Sequence, residues 1–324
     1  MSYFRLPSAM VALVVVAGIA ILTTKTAQEP PKITQSLQSA QTSVNNSLPE
    51  LLGDIQTYTA INPSSRLPFV NSRAYLLLDG ETNEILLGQG AHNPIPIAST
   101  TKMMSALVVV KKMDLNNVIT VSSQAVNVSG AKIGLKDGQR LKTIDLLKAM
   151  LIASGNDAAY AIAFGYSQSG EDDSQFINSM NQLARDLGLK QTRFMDPAGL
   201  DDNGRSTPFE LSQIARELLR HPVLRKIVQT SNTEITALDG EVFQLENTNR
   251  LVRPETAYYF QDAVGIKTGF TYEAGHCLVA AFDHSGHTLV GVVMNTYEYT
   301  PTASAKVMKQ LFDWASTNVE IKQY

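Results

Sequence analysis

The hydrophobic pattern divides the chain into three parts. Residues 6–24 carry no charge, have "MVALVVVAGIAIL" at their centre and are flanked by Arg5 and Lys25. A core helix would interpose polar positions at helical spacing, and this run has none, so it predicts an export signal or a membrane anchor. A cut after Ala27 would put Lys25 where a signal peptidase needs a small residue, so an uncleaved anchor is the expectation and the rest of the chain is exported. Residues 28–65 are rich in Gln, Ser, Thr, Asn and Pro. That composition buries little surface and predicts a polar linker with a short helix at 48–55.

Short apolar runs begin near Arg66. "AYLLLD" and "EILLGQG" read as strands joined by a hairpin turn at Gly80-Glu81-Thr82-Asn83. A largely helical stretch follows over 99–219. Within it "TIDLLKAMLIASGNDAAYAIAFG" gives two apolar helices interrupted at Ser154-Gly155-Asn156. In "STPFELSQIARELLRHP", Thr207 is placed as N-cap, Pro208 as first residue and Glu210 as the closing member of a capping box, with His221-Pro222 ending the helix. Strand patterns return in "AVGIKTGF", "CLVAAF" and "HTLVGVVMN", the last two joined by "DHSGH", before a closing amphipathic helix in "TASAKVMKQLFDWAS". Hairpin-length connections around a block of helices predict an α+β fold: an antiparallel sheet of about five strands flanked by helices, with a mainly helical inserted subdomain. The expected organisation is a hydrophobic segment at 1–27, the linker at 28–65 and one catalytic domain at 66–320.

Composition narrows the function. A chain of 324 residues, 44% hydrophobic and 18% charged, supports a sizeable core, and a net charge of −3 gives no footprint for nucleic acid. One cysteine, Cys277 in "HCLVAAF", excludes an internal disulfide and a Cys-based zinc site, and it reads as a small buried strand residue. His284 and His287 flank a turn glycine and read as a hairpin tip, not a metal pair; His276 reads as structural or groove-lining. No Gly-x-Ser-x-Gly elbow is present, which disfavours a Ser-His-Asp hydrolase. No metal or organic cofactor is expected.

Chemistry enters at "PIASTTKMMSALVVV", residues 94–108. Ser99 and Lys102 share a helix face, so the amine can reach the hydroxyl. Serine needs a base to become a nucleophile, and lysine serves only when neutral, a state favoured by burial in the apolar run and by the positive end of the helix dipole. Ser-x-x-Lys by itself is frequent by chance. Two further triplets add weight: Ser154-Gly155-Asn156 breaks a strong apolar helix pattern, and Lys267-Thr268-Gly269 puts a glycine inside a strand, where close backbone approach is a reason for one.

In this order the three motifs resemble the active-site serine penicillin-recognising enzymes. The flanks "LLKAMLIASGNDAAYAIA", "RFMDPAGLDDNGRST" and "VGIKTGFTYEAGHCLVAA" look like the low-molecular-weight D-alanyl-D-alanine carboxypeptidases of the S11 peptidase family. The resemblance covers residues 66–318 and implies a β-lactamase/transpeptidase-like fold. It implies Ser99 as nucleophile toward the penultimate D-alanine of a peptidoglycan stem peptide, Lys102 as its base and Ser154 as a proton relay. Asn156 would hold the substrate amide. Lys267 would keep Lys102 neutral and attract the substrate carboxylate, which Thr268 would bond. Gly269 would let the substrate lie along the strand, and the N–H groups of Ser99 and Phe270 would form the oxyanion hole. The partners implied are the stem peptide, β-lactams as covalent inhibitors and a membrane at the N-terminal segment, on the periplasmic or extracytoplasmic face.

Departures from the family bear on the bond cut. Only residues 270–324 follow the last triplet, which leaves no room for the second domain and C-terminal anchor of many members. Short members include D,D-endopeptidases, the alternative reading. An arginine that some members place near the last helix to hold the substrate carboxylate has no match around 300–309. A β-lactamase is the weaker rival, because no glutamate between Asn156 and Lys267 has the Glu-x-x-x-Asn spacing of the class A deacylation loop.

Overall fold

The computed structural model describes residues 56–57, 62, 64–167 and 172–320, all within the unit Leu48–Tyr324. The apolar run 6–24, the helix expected at 48–55 and most of the linker lie outside the described residues. No described helix is long and apolar enough to cross a membrane.

The strand-like runs assemble into one antiparallel sheet. Its strands are β1 (Gln56–Thr57), β2 (Ser72–Asp79), β3 (Ile85–Gln89), β4 (Ala263–Thr271), β5 (Gly275–His284) and β6 (His287–Thr296), in the order β1-β3-β2-β6-β5-β4. Five strands come from the apolar runs of the sequence. The sixth, β1, is two residues of the polar stretch paired to Leu87 and Gly88. Both predicted hairpins form, with Leu77 opposite Leu87 and His284 opposite His287. At the second tip His287 Nδ1 lies 2.7 Å from Asp79 Oδ2.

The central strands are continuously apolar because both sheet faces are covered. Ala74, Leu76, Leu78, Cys277, Val279 and Ala281 face a helical block. The helices are α1 (Lys102–Lys112), α2 (Ser123–Val126), α3 (Thr143–Ile152), α4 (Asn156–Tyr166), α5 (Ser174–Asp186), α6 (Pro208–Arg220), α7 (Pro222–Gln229) and α8 (Ala303–Asn318). The alternate positions Tyr75, Leu77, Leu278, Ala280 and Phe282 pack on Val307, Met308, Leu311 and Phe312 of α8. Each such large side chain contributes about 1.5–3 kcal/mol when fully buried. Gly291 makes this approach possible, since a Cβ there would lie 2.5 Å from Met308 Sδ.

One expected local feature is only half formed. Thr207 Oγ1 accepts the Glu210 N–H at 3.0 Å, as an N-cap should. The Glu210 carboxylate does not close the capping box; it accepts the Gln191 N–H at 3.0 Å and the Thr192 hydroxyl at 2.5 Å. A distant segment supplies donors that a local pattern cannot reveal.

Asp157, fully buried at the start of α4, ties the 129–135 loop to the helical block. Its carboxylate accepts the N–H groups of Ile133 at 3.2 Å, Gly134 at 2.9 Å, Leu135 at 3.1 Å and Ala158 at 2.9 Å. Asp157→Ala strands these donors, so the urea unfolding curve should show a loss on the order of 3 kcal/mol. A loss below about 1 kcal/mol would contradict this anchoring.

Candidate active site

The chain enters α1 through a 3₁₀ turn, Ala98–Thr101, which places Ser99 one turn before Lys102. Three residues per turn eclipses positions i and i+3, aligning the two side chains more directly than an α-helix would. Lys102 Nζ lies 2.8 Å from Ser99 Oγ. It also donates to Asn156 Oδ1 at 2.7 Å and to the Ala198 carbonyl at 2.8 Å. A neutral amine has two N–H donors and one lone pair. With both donors held by fixed acceptors, the lone pair faces the serine hydroxyl.

Lys102 is fully buried. Burial lowers its pKa to about 7, against the carboxylates of Asp196 and Asp157, which favour the charged form. Ser99 is only partly buried and opens onto a cleft of about 680 Å³. A basic nitrogen in the interior beside a hydroxyl at the surface is the arrangement that general-base activation of a nucleophile requires.

The second motif sits at the break between α3 and α4. Ser154 has φ +60°, a left-handed conformation that is strained for a residue with a Cβ. Its hydroxyl accepts from Lys267 Nζ at 2.8 Å. Asn156, the first residue of α4, is engaged through both amide atoms: Oδ1 takes Lys102, and Nδ2 donates to the Ser129 carbonyl at 2.7 Å. Asn156 therefore orients Lys102, and one amide hydrogen remains for anything bound in the cleft.

The third motif lies on β4, the edge strand. Lys267 is opposite Val279 and Gly269 opposite Cys277, so both face the helical block. Lys267 is buried, donates also to the Thr268 carbonyl at 3.0 Å, and does not line the cleft. Burial, and then the charge of Lys102, pushes its pKa well down. Lys267 thus holds the Ser154 hydroxyl from inside the sheet edge. Gly269 meets the close backbone approach expected of a strand glycine. A Cβ there would sit 3.0 Å from the Ser99 nitrogen and 3.2 Å from Ala98 Cβ, so the glycine lets β4 touch the nucleophile's own turn. Thr268 lines the cleft and shares a 2.7 Å hydrogen bond with the Thr248 hydroxyl.

Phe270 and His276 form one wall of the cleft, their rings stacked with centroids 4.3 Å apart. Burial, then Arg250, lowers the His276 pKa, so it remains a neutral groove-lining residue. Arg250 itself was not legible in the sequence. It enters the cleft from a short turn, Arg250–Val252, and donates to the Pro301 carbonyl at 2.6 Å. Among the described residues no carboxylate pairs with it. Nothing in "ENTNRLVRPE" separates it from Arg253, which pairs with Glu246 and Glu255. Ala198, Ser129, Asp157 and Asp196 were missed for a related reason, since they act through backbone groups or through other residues.

Comparison with known proteins shows the family. Residues 61–298 match the family Peptidase S11, D-alanyl-D-alanine carboxypeptidase. The chain is 29% identical over 255 residues to D-alanyl-D-alanine carboxypeptidase DacF of Bacillus subtilis, covering 77% of this chain and spanning 63% of the length of that relative. It is 29% identical over 282 residues to a D-alanyl-D-alanine endopeptidase of Pseudomonas aeruginosa, covering 84% and 88%. It is 31% identical over 228 residues to a D-alanyl-D-alanine endopeptidase of Haemophilus influenzae, covering 69% and 75%. The crystal structure of a Streptomyces DD-transpeptidase superposes with a TM-score of 0.72 at 26% identity, covering 78% of this chain and all of that one.

The contact between β4 and the serine turn generates a test. Gly269→Ala pushes the turn by a few tenths of an ångström, so acylation of Ser99 by a fluorescent penicillin should slow roughly tenfold or more. The melting temperature should fall by only a few degrees, about the effect of a 1 kcal/mol change. Unchanged acylation would show that the turn does not depend on this contact.

Proposed function

The chain belongs to the peptidase S11 family of D-alanyl-D-alanine carboxypeptidases, and on that premise we propose that it removes the terminal D-alanine from peptidoglycan stem pentapeptides. Neutral Lys102 takes the Ser99 proton as Oγ attacks the penultimate D-alanine carbonyl. The N–H groups of Ser99 and Phe270 receive the oxyanion. The carbon–nitrogen bond then breaks, and Ser154, held by Lys267, relays a proton to the leaving amine. Water hydrolyses the serine ester and restores both groups. A β-lactam enters the same first step and leaves a stable acyl-enzyme.

The observation that carries the reading is the buried Lys102 amine, with two fixed acceptors and its third direction on Ser99. Arg250 bears on which bond is cut. It gives the cleft, which Thr268 and Ser304 also line, a guanidinium and suits the free carboxylate of a terminal D-alanine. Position 304 lies in the region where the family arginine is missing, so Arg250 fills the same need from another element. Cleavage of cross-links is the second reading, favoured by two relatives named endopeptidases whose lengths this chain largely spans.

Two experiments test these readings. A fluorescent penicillin should label the full chain and fail to label Ser99→Ala, and Lys102→Arg should lose acylation because a guanidinium stays protonated. With defined muropeptides, free D-alanine from pentapeptide should exceed monomer from cross-linked dimer, and Arg250→Ala should raise KM for pentapeptide roughly tenfold or more. Cleaved dimers beside intact pentapeptides would establish the endopeptidase instead.

We infer as well that residues 6–24 hold the enzyme at the extracytoplasmic membrane face, with the polar stretch ahead of β1 as tether and the sheet-bearing part of the chain as catalytic domain. The support is the uncharged run between Arg5 and Lys25. N-terminal sequencing of the membrane fraction should begin at Met1 or Ser2. A soluble protein that begins near Gln28 would overturn the anchor.

A further inference from the structure

The base must be neutral to accept a proton and basic enough to attract one. Burial alone favours the first property at the expense of the second. The loop that covers Lys102 carries a group with the opposite effect. Asp196 is buried, and its Oδ1 accepts the N–H groups of Ala198 and Gly199, both at 2.6 Å, while Oδ2 accepts the Asp201 N–H at 2.7 Å. These bonds fold residues 196–201 into a tight turn. The turn is fastened to the nucleophile's element at three points. The Ala198 carbonyl accepts Lys102 Nζ, the Pro197 carbonyl accepts the Ser105 hydroxyl at 2.6 Å, and Gly199 passes so close to Ala98 that a Cβ would lie 1.9 Å from its carbonyl oxygen.

We propose that Asp196 is a positioning residue that both fixes the carbonyl that orients Lys102 and, through its negative charge, sets the pH at which Lys102 becomes a working base. The proposal rests on Lys102 being the base. The other groups around the amine are Ser99 from the 3₁₀ turn, Ser105 on α1, Asn156 and Asp157 from α4, and Lys267 from β4. Asp157 is the second carboxylate that favours the ammonium form, and Asp196 is the stronger of the two. Asp201 and Asp173 act, with Asp196, on Tyr160. Lys267 opposes both carboxylates when charged.

The sign follows directly. A nearby carboxylate stabilises the ammonium form, so removing its charge lowers the Lys102 pKa and moves the acid limb of acylation to lower pH. The rate of acylation by a fluorescent penicillin should be measured on the full chain between pH 5 and 9, as in practice about two units either side of the limb. The wild type should rise through pH about 7, and at one unit below its midpoint it should run at about a tenth of its plateau. Asp196→Asn, which keeps an acceptor for Ala198 and Gly199, should run at a larger fraction of its own plateau at that pH, with the plateau itself reduced. Asp196→Glu restores the charge and should return the limb to the wild-type position whatever its plateau rate. Asp196→Ser is the second neutral variant if Asp196→Asn does not fold.

A lower plateau with an unmoved limb would overturn the charge role and leave a scaffold residue. Loss of acylation at every pH in Lys102→Arg is the separate test of the base itself, so the two readings fail independently.

Discussion

A lysine amine enclosed by protein, with its nitrogen 2.8 Å from a serine oxygen, is the constraint around which the rest of the structure is arranged. Desolvation makes the charged amine unfavourable, and by itself it would drive the pKa far down. Two buried carboxylates pull in the other direction, and the balance comes to rest at about 7. Neither carboxylate forms an ion pair with the amine. Each accepts backbone N–H groups instead, so the negative charge is held in place at no cost to the amine's own geometry. Neutral acceptors, Asn156 Oδ1 and the Ala198 carbonyl, then fix where the lone pair goes.

The fold serves this arrangement through contacts that tolerate little change. The sheet is covered on both faces, which makes β4 a rigid edge and not a loose strand. Gly269 brings that edge against the serine turn, and Gly199 brings the 196–201 loop against the same turn. Ser154 adopts a left-handed conformation at the helix break so that its hydroxyl meets Lys267. Strain of this kind persists only where packing on all sides over-determines it. Here the packing comes from the apolar side chains of α3 and α4, while their buried polar residues, Asn156 and Asp157, are held by hydrogen bonds of their own.

The polar groups around the cleft are each held by protein partners. Lys267 is bonded to Ser154, and Asn156 to Lys102 and Ser129. Arg250 lines the cleft from a short turn bonded to the loop before α8. On the proposed function, the donor for a substrate carboxylate would come from this turn and not from the last helix. Such substitution is possible because recognition depends on where a guanidinium ends up, not on where in the chain it starts.

By itself the sequence determined five of the six sheet strands, the principal helices, the two hairpins and the three motifs that carry the reactive groups. These are short-range patterns: periods of two and of 3.6, turn glycines, and residues three apart on one helical turn. They account for Ser99, Lys102, Ser154 and Lys267 as chemically meaningful positions. Tertiary structure alone decided what surrounds them. The partners of Lys102 lie 54 and 96 residues away, and Lys267 meets Ser154 across 113 residues. Arg250 carries no periodicity and no motif, Asp196 and Ala198 sit in a family-like stretch that gave them no role, and Glu210 satisfied a local pattern while bonding to a distant segment. A backbone carbonyl has no letter of its own in a sequence. Burial, which sets whether Lys102 is an ammonium or a base, is a property of the assembled fold and of no residue by itself.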